Sequence, residues 1–218
     1  MSDRIFQGGR IPWSDIKKKR EEMRKKYSSI FKTPLIYSTK RTLIKNTLRE
    51  FNGKLLDIGA GDRFVGEICS DKGTIIEYKS MDADKTRHHD YYTLEEISEK
   101  FNGIMLLDVI EHLSLEEGVK FLHRCSELLE SGGKIFLTVP NNFHPTAFSV
   151  DCTHITSYRC HDLGGLLSFL GFEDVQIFRV SAKQKIKYRI FAVLFRPVMK
   201  WLDVDFATGI FITAKKAS

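Results

Sequence analysis

Three clusters in this 218-residue chain have the residue types and spacing to do chemistry. The first is Asp57-Ile58-Gly59-Ala60-Gly61-Asp62, which follows the apolar pair Leu55-Leu56. Two glycines after a short strand permit a tight strand-to-helix turn and let a ligand approach the backbone. The dinucleotide fingerprint wants a further glycine three positions on, where this chain has Phe64, which argues against NAD or FAD. The second cluster is Asp82-Ala83-Asp84, with Asp82 placed 23 residues after Gly59. A carboxylate there can accept both hydroxyls of a ribose, so a nucleoside without a pyrophosphate fits better than a dinucleotide. Asp84 competes for that role, and a helix cap or turn residue is the purely structural alternative for Asp82.

The third cluster is Asp108-Val109-Ile110-Glu111-His112, with His154 further along. If a helix opens at Asp108, positions i, i+3 and i+4 share one face. Asp108, Glu111 and His112, with His154 as a second imidazole, then suit a divalent cation such as Mg²⁺. Without a metal, Glu111, His112 and His154 remain the candidate catalytic groups, the histidines as general bases. Each histidine can equally be a hydrogen-bonded structural residue.

The elements that must position these residues alternate. Lys54–Ile58, Thr74–Met81, Gly103–Leu107, Lys134–Val139, Val175–Val180 and Gly209–Ala214 read as strands. Leu35–Phe51, Phe64–Ser70, Leu94–Phe101, Leu115–Glu130 and His161–Leu170 read as helices, the fourth closed by Ser131-Gly132-Gly133. This alternation predicts an α/β fold with a mostly parallel sheet, whose ligands sit at the strand C-terminal ends. Residues 1–38 read as a basic helical extension, centred on Trp13–Tyr27, before a domain spanning 39–218.

Charge is unevenly spread. Lys and Arg outnumber Asp and Glu by 34 to 28, a net of +6. Residues 1–50 carry 14 basic and 5 acidic side chains, residues 51–182 carry 12 and 21, and residues 183–218 carry 8 and 2. The N-terminal cluster Lys17–Arg20 with Arg24–Lys26 reads as a solvated helical lid or as a grip on RNA phosphates. The segment 185–202 mixes basic with large apolar residues, which suits peripheral contact with an anionic membrane, a wall for a lipid-linked acceptor, a packing helix or a dimer contact. Cys69, Cys125, Cys152 and Cys160 form no CxxC pair, so a reducing, cytoplasmic location is the simpler expectation. No apolar run is long enough for a membrane span, and the N-terminal residues lack the apolar stretch of a signal peptide.

Taken in order, these segments resemble the class I S-adenosylmethionine-dependent methyltransferases of the ubiquinone-pathway-like methyltransferase-domain group. LLDIGAGD is similar to their first motif, and SMDAD to the acidic end of their second strand. FNGIMLLDVIEHL is similar to FDxIxxxxVxEHL, LLESGGKIFLTVPN to LLKPGGxLxxxxPN, and HITSYRCHDLGGLLSFLGF to HxxxFxxxELxxLLxxxGF. Arg63 stands where many relatives have Gly, and Ser131 replaces the usual Pro before Gly-Gly.

The resemblance implies a Rossmann-like, seven-stranded, mostly parallel sheet flanked by helices, and S-adenosylmethionine as cofactor. It places Asp57, Gly59, Ala60 and Gly61 around the methionine part, Asp82 on the ribose, Asp90 near the adenine, and Asp108 between cofactor and acceptor. The set Asp108, Glu111, His112 and His154 is similar to metal ligands in ubiquinone-pathway O-methyltransferases and small-RNA 2′-O-methyltransferases. The expected reaction is methyl transfer to oxygen or nitrogen of a small-molecule, glycan or lipid-linked acceptor. Two alternatives stay open: a metal-assisted RNA 2′-O-methyltransferase, and a non-catalytic S-adenosylmethionine-binding partner subunit. Oligomeric state is not readable from the chain.

Overall fold

The apolar runs assemble into one seven-stranded sheet in a computed structural model that describes residues 12–71, 76–182 and 193–218. The strands are β1 (Leu35–Tyr37), β2 (Gly53–Ile58), β3 (Ile76–Met81), β4 (Phe101–Leu107), β5 (Leu129–Pro140), β6 (Phe172–Ser181) and β7 (Gly209–Lys216). The helices are α1 (Trp13–Lys26), α2 (Lys40–Thr47), α3 (Phe64–Ser70), α4 (Leu115–Leu128), α5 (Cys160–Phe169) and α6 (Arg196–Trp201). Strand order is β1-β6-β7-β5-β4-β2-β3, and β7 runs antiparallel to both of its neighbours while the other pairs are parallel.

The strands read as continuous apolar runs because helices cover both sheet faces. Leu56, Ile58, Ile104, Leu106, Ile135 and Leu137 point into one core with Val119 and Leu122 of α4 and Leu163 and Leu166 of α5. The residues between them, Leu55, Met105 and Phe136, enter a second core with Leu43 and Ile44 of α2 and Val65 and Ile68 of α3. This period of two fixes the register and brings the C-terminal ends of β2, β3, β4 and β5 to one edge of the sheet.

Four elements differ from the sequence expectation. Leu35–Tyr37 is a strand paired with Arg179–Ser181 rather than the start of a helix. Thr39 caps α2 by accepting the Thr42 amide, so the helix cannot extend back through it. Of the predicted helix Leu94–Phe101, residues 94–100 form turns and bends and Phe101 opens β4, since its acidic side chains are engaged elsewhere: Glu96 accepts the Tyr92 amide, and Glu99 binds Lys54 and Tyr91. Helix α4 starts at a capping box between Ser114 and Glu117, and Ser131-Gly132-Gly133 lies within β5 instead of closing the helix.

The fourth difference is α1, which the sequence suggested as a solvated lid. It lies along α5, where a Cβ on Gly165 would come within 2.6 Å of the Arg20 backbone nitrogen. Ile16, Met23 and Tyr27 pack against the core, and the Tyr27 hydroxyl accepts the Ile177 amide at 3.0 Å. Of the predicted segment 185–202, residues 185–192 lie outside the described residues, as do Thr74 and Ile75 of the predicted Thr74–Met81 strand. No described helix is long and apolar enough to cross a membrane.

Candidate active site

Strand β2 ends in a turn whose backbone takes positive φ at Gly59 (72°), Gly61 (48°) and Arg63 (62°). Gly59 has no room for a side chain, because a Cβ there would lie 2.5 Å from Cγ2 of Val109. Gly59 and Ala60 donate their amides to the Met81 carbonyl, and Gly61 donates to Oδ2 of Asp82 at 2.8 Å. The glycine turn and the acidic end of β3 are thus one hydrogen-bonded unit. Asp84 is engaged with Thr86, which leaves Asp82 as the carboxylate beside the glycines.

Arg63 holds a left-handed conformation that ordinarily costs an L-residue about 1–2 kcal/mol. Its guanidinium lies over the Tyr78 ring, donates to the His88 carbonyl and faces Asp90, contacts that tie the turn to β3 and the 88–90 segment.

Asp57 is buried beneath the turn and accepts the Tyr78 hydroxyl at 2.8 Å. Burial pushes its carboxyl up to about 7, against the opposing effect of that hydrogen bond. Asp90 accepts both the amide and the hydroxyl of Ser80 at 2.9 Å. Burial acts to raise the Asp90 pKa, but the Ser80 bonds and Lys79 hold it below the usual carboxylate range. Its carboxylate is therefore committed to β3.

Asp108 follows β4 with φ 57°, accepts the Thr138 hydroxyl at 2.6 Å and pairs with Lys40 at the start of α2. No α-helix opens at Asp108; the chain makes a single 3₁₀ turn over Ile110–His112. The predicted i, i+3, i+4 convergence therefore leaves Asp108 out. Glu111, His112 and His154 do come together, with one ligand-capable atom of each within 4.8 Å of the others.

Glu111 is 1% exposed, and neither carboxylate oxygen has a hydrogen-bond partner. Burial, with the charges of Asp108 and Asp151 adding to it, raises its pKa to about 8. Nδ1 of His154 lies 2.7 Å from the Phe148 carbonyl, and Nδ1 of His112 lies 3.0 Å from the Thr153 hydroxyl and 3.3 Å from its carbonyl. A carbonyl only accepts, so this pattern assigns the proton to Nδ1 and, in the neutral ring, leaves the Nε2 lone pair available. A buried unpaired carboxylate with two such imidazoles is a donor set that fits a divalent cation.

These residues form the floor of a cavity of about 820 Å³. Val139, Pro140, Val180 and Ile210 form apolar walls, and Lys40, Thr138 and His144 add polar groups. Asp108 is on the cavity side, while its neighbour Val109 packs on Gly59 of the cofactor-type turn. Sequence reasoning missed Lys40 and Thr138. Their types carry no local signal, and only strand register and helix docking bring them to the site.

Residues 24–177 match a family model described as a methyltransferase domain. No protein of curated function matches the chain. A structure of an S-adenosylmethionine-dependent methyltransferase from Archaeoglobus fulgidus superposes with a TM-score of 0.63 at 21% identity, covering 81% of this chain and 95% of that one. Phosphoethanolamine N-methyltransferase 2 of Haemonchus contortus, solved with S-adenosyl-L-methionine, gives 0.56 at 13% identity over 82% of this chain and 52% of that one. A Haloferax volcanii chain from a complex between the Trm112 methyltransferase activator and a methyltransferase gives 0.58 at 9% identity, covering 92% and 95%. At these identities the likeness establishes the Rossmann-like fold.

Proposed function

The chain belongs to the methyltransferase-domain family, and on that premise we propose that it transfers a methyl group from S-adenosylmethionine to an oxygen or nitrogen of an amphipathic small-molecule, glycan or lipid-linked acceptor. The observation that carries this reading is the position of Asp108-Val109. Val109 contacts the Gly59 turn, and Asp108 lines the cavity, so cofactor and acceptor spaces meet at one dipeptide.

In this reading the Gly59–Gly61 turn admits the cofactor backbone, and Asp82 accepts the ribose hydroxyls. Asp57 and Asp90 act from beneath, holding Tyr78 and Ser80 and with them the shape of the turn. The sulfonium is already a strong electrophile, so the protein's task is to align the nucleophile and remove its proton. Glu111, His112 and His154 surround the place where that proton leaves. His154 or His112 takes it at Nε2, and the resulting imidazolium draws the neighbouring Glu111 toward its ionised form, which stabilises that charge. The apolar walls exclude water and seat the non-reacting part of the acceptor.

The same three side chains would hold a divalent cation, which when bound would acidify an acceptor hydroxyl. One carboxylate with two imidazoles suits Mn²⁺, Fe²⁺ or Zn²⁺ better than Mg²⁺. An RNA acceptor is less favoured, because none of the basic residues of α1 lines the cavity.

The deciding experiment is transfer of labelled methyl from S-adenosylmethionine to fractionated cell extract, with Glu111→Gln and His154→Ala beside the parent. Label in an acceptor fraction that both variants lose, at unchanged cofactor affinity, supports the reading. Cofactor binding without transfer to any fraction would instead favour a partner-subunit role.

A further inference from the structure

Residues 193–202, which precede β7, expose a group of large apolar side chains. Val198 and Trp201 stand on α6 and Leu202 caps it, while Leu194 precedes the turn at Phe195 that opens the helix. Leu194, Val198, Trp201 and Leu202 are 70%, 48%, 83% and 55% exposed, whereas Met199 is buried and anchors the segment to the domain. A helix packed on a water-soluble domain ordinarily turns its polar side outward. Here large apolar side chains stand outward beside the exposed Arg196 and Lys200, among them the more exposed of the chain's two tryptophans.

The charge of the same stretch has one sign. Residues 183–202 contain Lys183, Lys185, Lys187, Arg189, Arg196 and Lys200 and no acidic residue. Tryptophan and leucine flanked by lysine and arginine is the composition of a segment lying in the headgroup layer of an anionic bilayer. The segment is tied to the cavity through Phe206, which lines one groove with Met199 of α6. Phe206, which is exposed just beyond α6, packs edge-on against His144 with ring centroids 5.9 Å apart, and His144 lines the cavity.

We infer that Leu194, Val198, Trp201 and Leu202 dock the domain on an anionic phospholipid surface, turning the cavity mouth toward the bilayer so that the acceptor is a membrane-resident amphiphile. This rests on the methyl-transfer reading above for the acceptor, while the docking itself can be measured alone. Apolar insertion supplies part of the affinity, and attraction between basic side chains and anionic headgroups supplies a part that salt screens.

The test uses the full chain with vesicles of phosphatidylcholine alone or mixed with phosphatidylglycerol. The chain has two tryptophans, Trp13 and Trp201, so a Trp13→Phe background makes Trp201 the sole reporter. Expected results are co-sedimentation with the anionic vesicles alone, weakening with added salt, and a blue shift of Trp201 emission. Leu194→Ser with Trp201→Ser should weaken partition at least tenfold, with S-adenosylmethionine affinity by calorimetry unchanged. Equal binding of parent and double variant would overturn the proposal, as would no binding to either vesicle. A parent dimer that the double variant abolishes would overturn it too, by assigning the patch to a second copy of the chain. Loss of cofactor binding by the parent would strike the methyl-transfer reading and leave the docking result standing.

Discussion

Asp82 accepts the Gly61 amide at 2.8 Å, which ties the acidic end of β3 to the glycine turn after β2. In the proposed function this carboxylate also meets the ribose. Asp82→Ala is expected to weaken S-adenosylmethionine binding about ten- to a hundredfold, the equivalent of roughly 1.5–3 kcal/mol for hydrogen bonds to a charged group. Calorimetric titration checks it, and unchanged affinity would remove Asp82 from the cofactor site.

The Gly59–Val109 contact sets a second expectation. Gly59→Ala adds a methyl 2.5 Å from Val109 at a φ of 72°. The left-handed backbone alone costs about 1–2 kcal/mol. Adding Val109→Ala should restore the part of the lost stability that is steric and leave the conformational part. Denaturant melts of the two single variants and the double variant measure that coupling.

Glu111 makes stability depend on pH in a defined direction. Its folded-state pKa of about 8 lies above the ordinary value of 4.5 that it regains on unfolding. The folded state therefore keeps a proton that the unfolded state releases, and stability is lost as pH rises from about 4.5 through 8. Glu111→Gln should match the parent near pH 4.5 and melt at a higher temperature than the parent at pH 8. Asp57, pushed up to about 7 in the same direction, contributes to both proteins and cancels in the difference.

If Glu111, His112 and His154 hold a cation, the parent dialysed against chelator should gain thermal stability on adding Mn²⁺ or Zn²⁺, and less with Mg²⁺. At one hundred times the dissociation constant the gain is about 2.7 kcal/mol. Glu111→Gln should lose that response. An equal shift in the variant would assign the ion to another site.

Gly165 lets α1 reach α5, with its backbone against Arg20. Gly165→Val should unseat α1, raising amide exchange across Trp13–Lys26 while β2 and β4 stay protected. Protection retained throughout α1 would show that Ile16, Met23 and Tyr27 suffice to hold it.

Much of the fold was legible because parallel strands buried on both faces are short apolar runs, and the helices between them carry an apolar face. Leu35–Tyr37 escaped because three residues are too few for a period, and pairing with β6 outweighs helix propensity there. Leu94–Phe101 was misread because Glu96 and Glu99, good helix formers, are recruited by Tyr92, Lys54 and Tyr91.

By itself the sequence determined the glycine turn, the acidic end of β3 and the Glu111-His112 pair, since these are contiguous and their spacing is set by covalent geometry. The tertiary structure alone decided which side chains meet. It took Asp108 from the Glu111 cluster by a left-handed turn and gave it to Thr138 and Lys40, and it brought His154, offered by the sequence as a second imidazole, across the 42 residues that separate it from His112. It also buried Glu111 without a partner, a state no local pattern specifies, because burial depends on everything packed around a residue rather than on its neighbours in the chain.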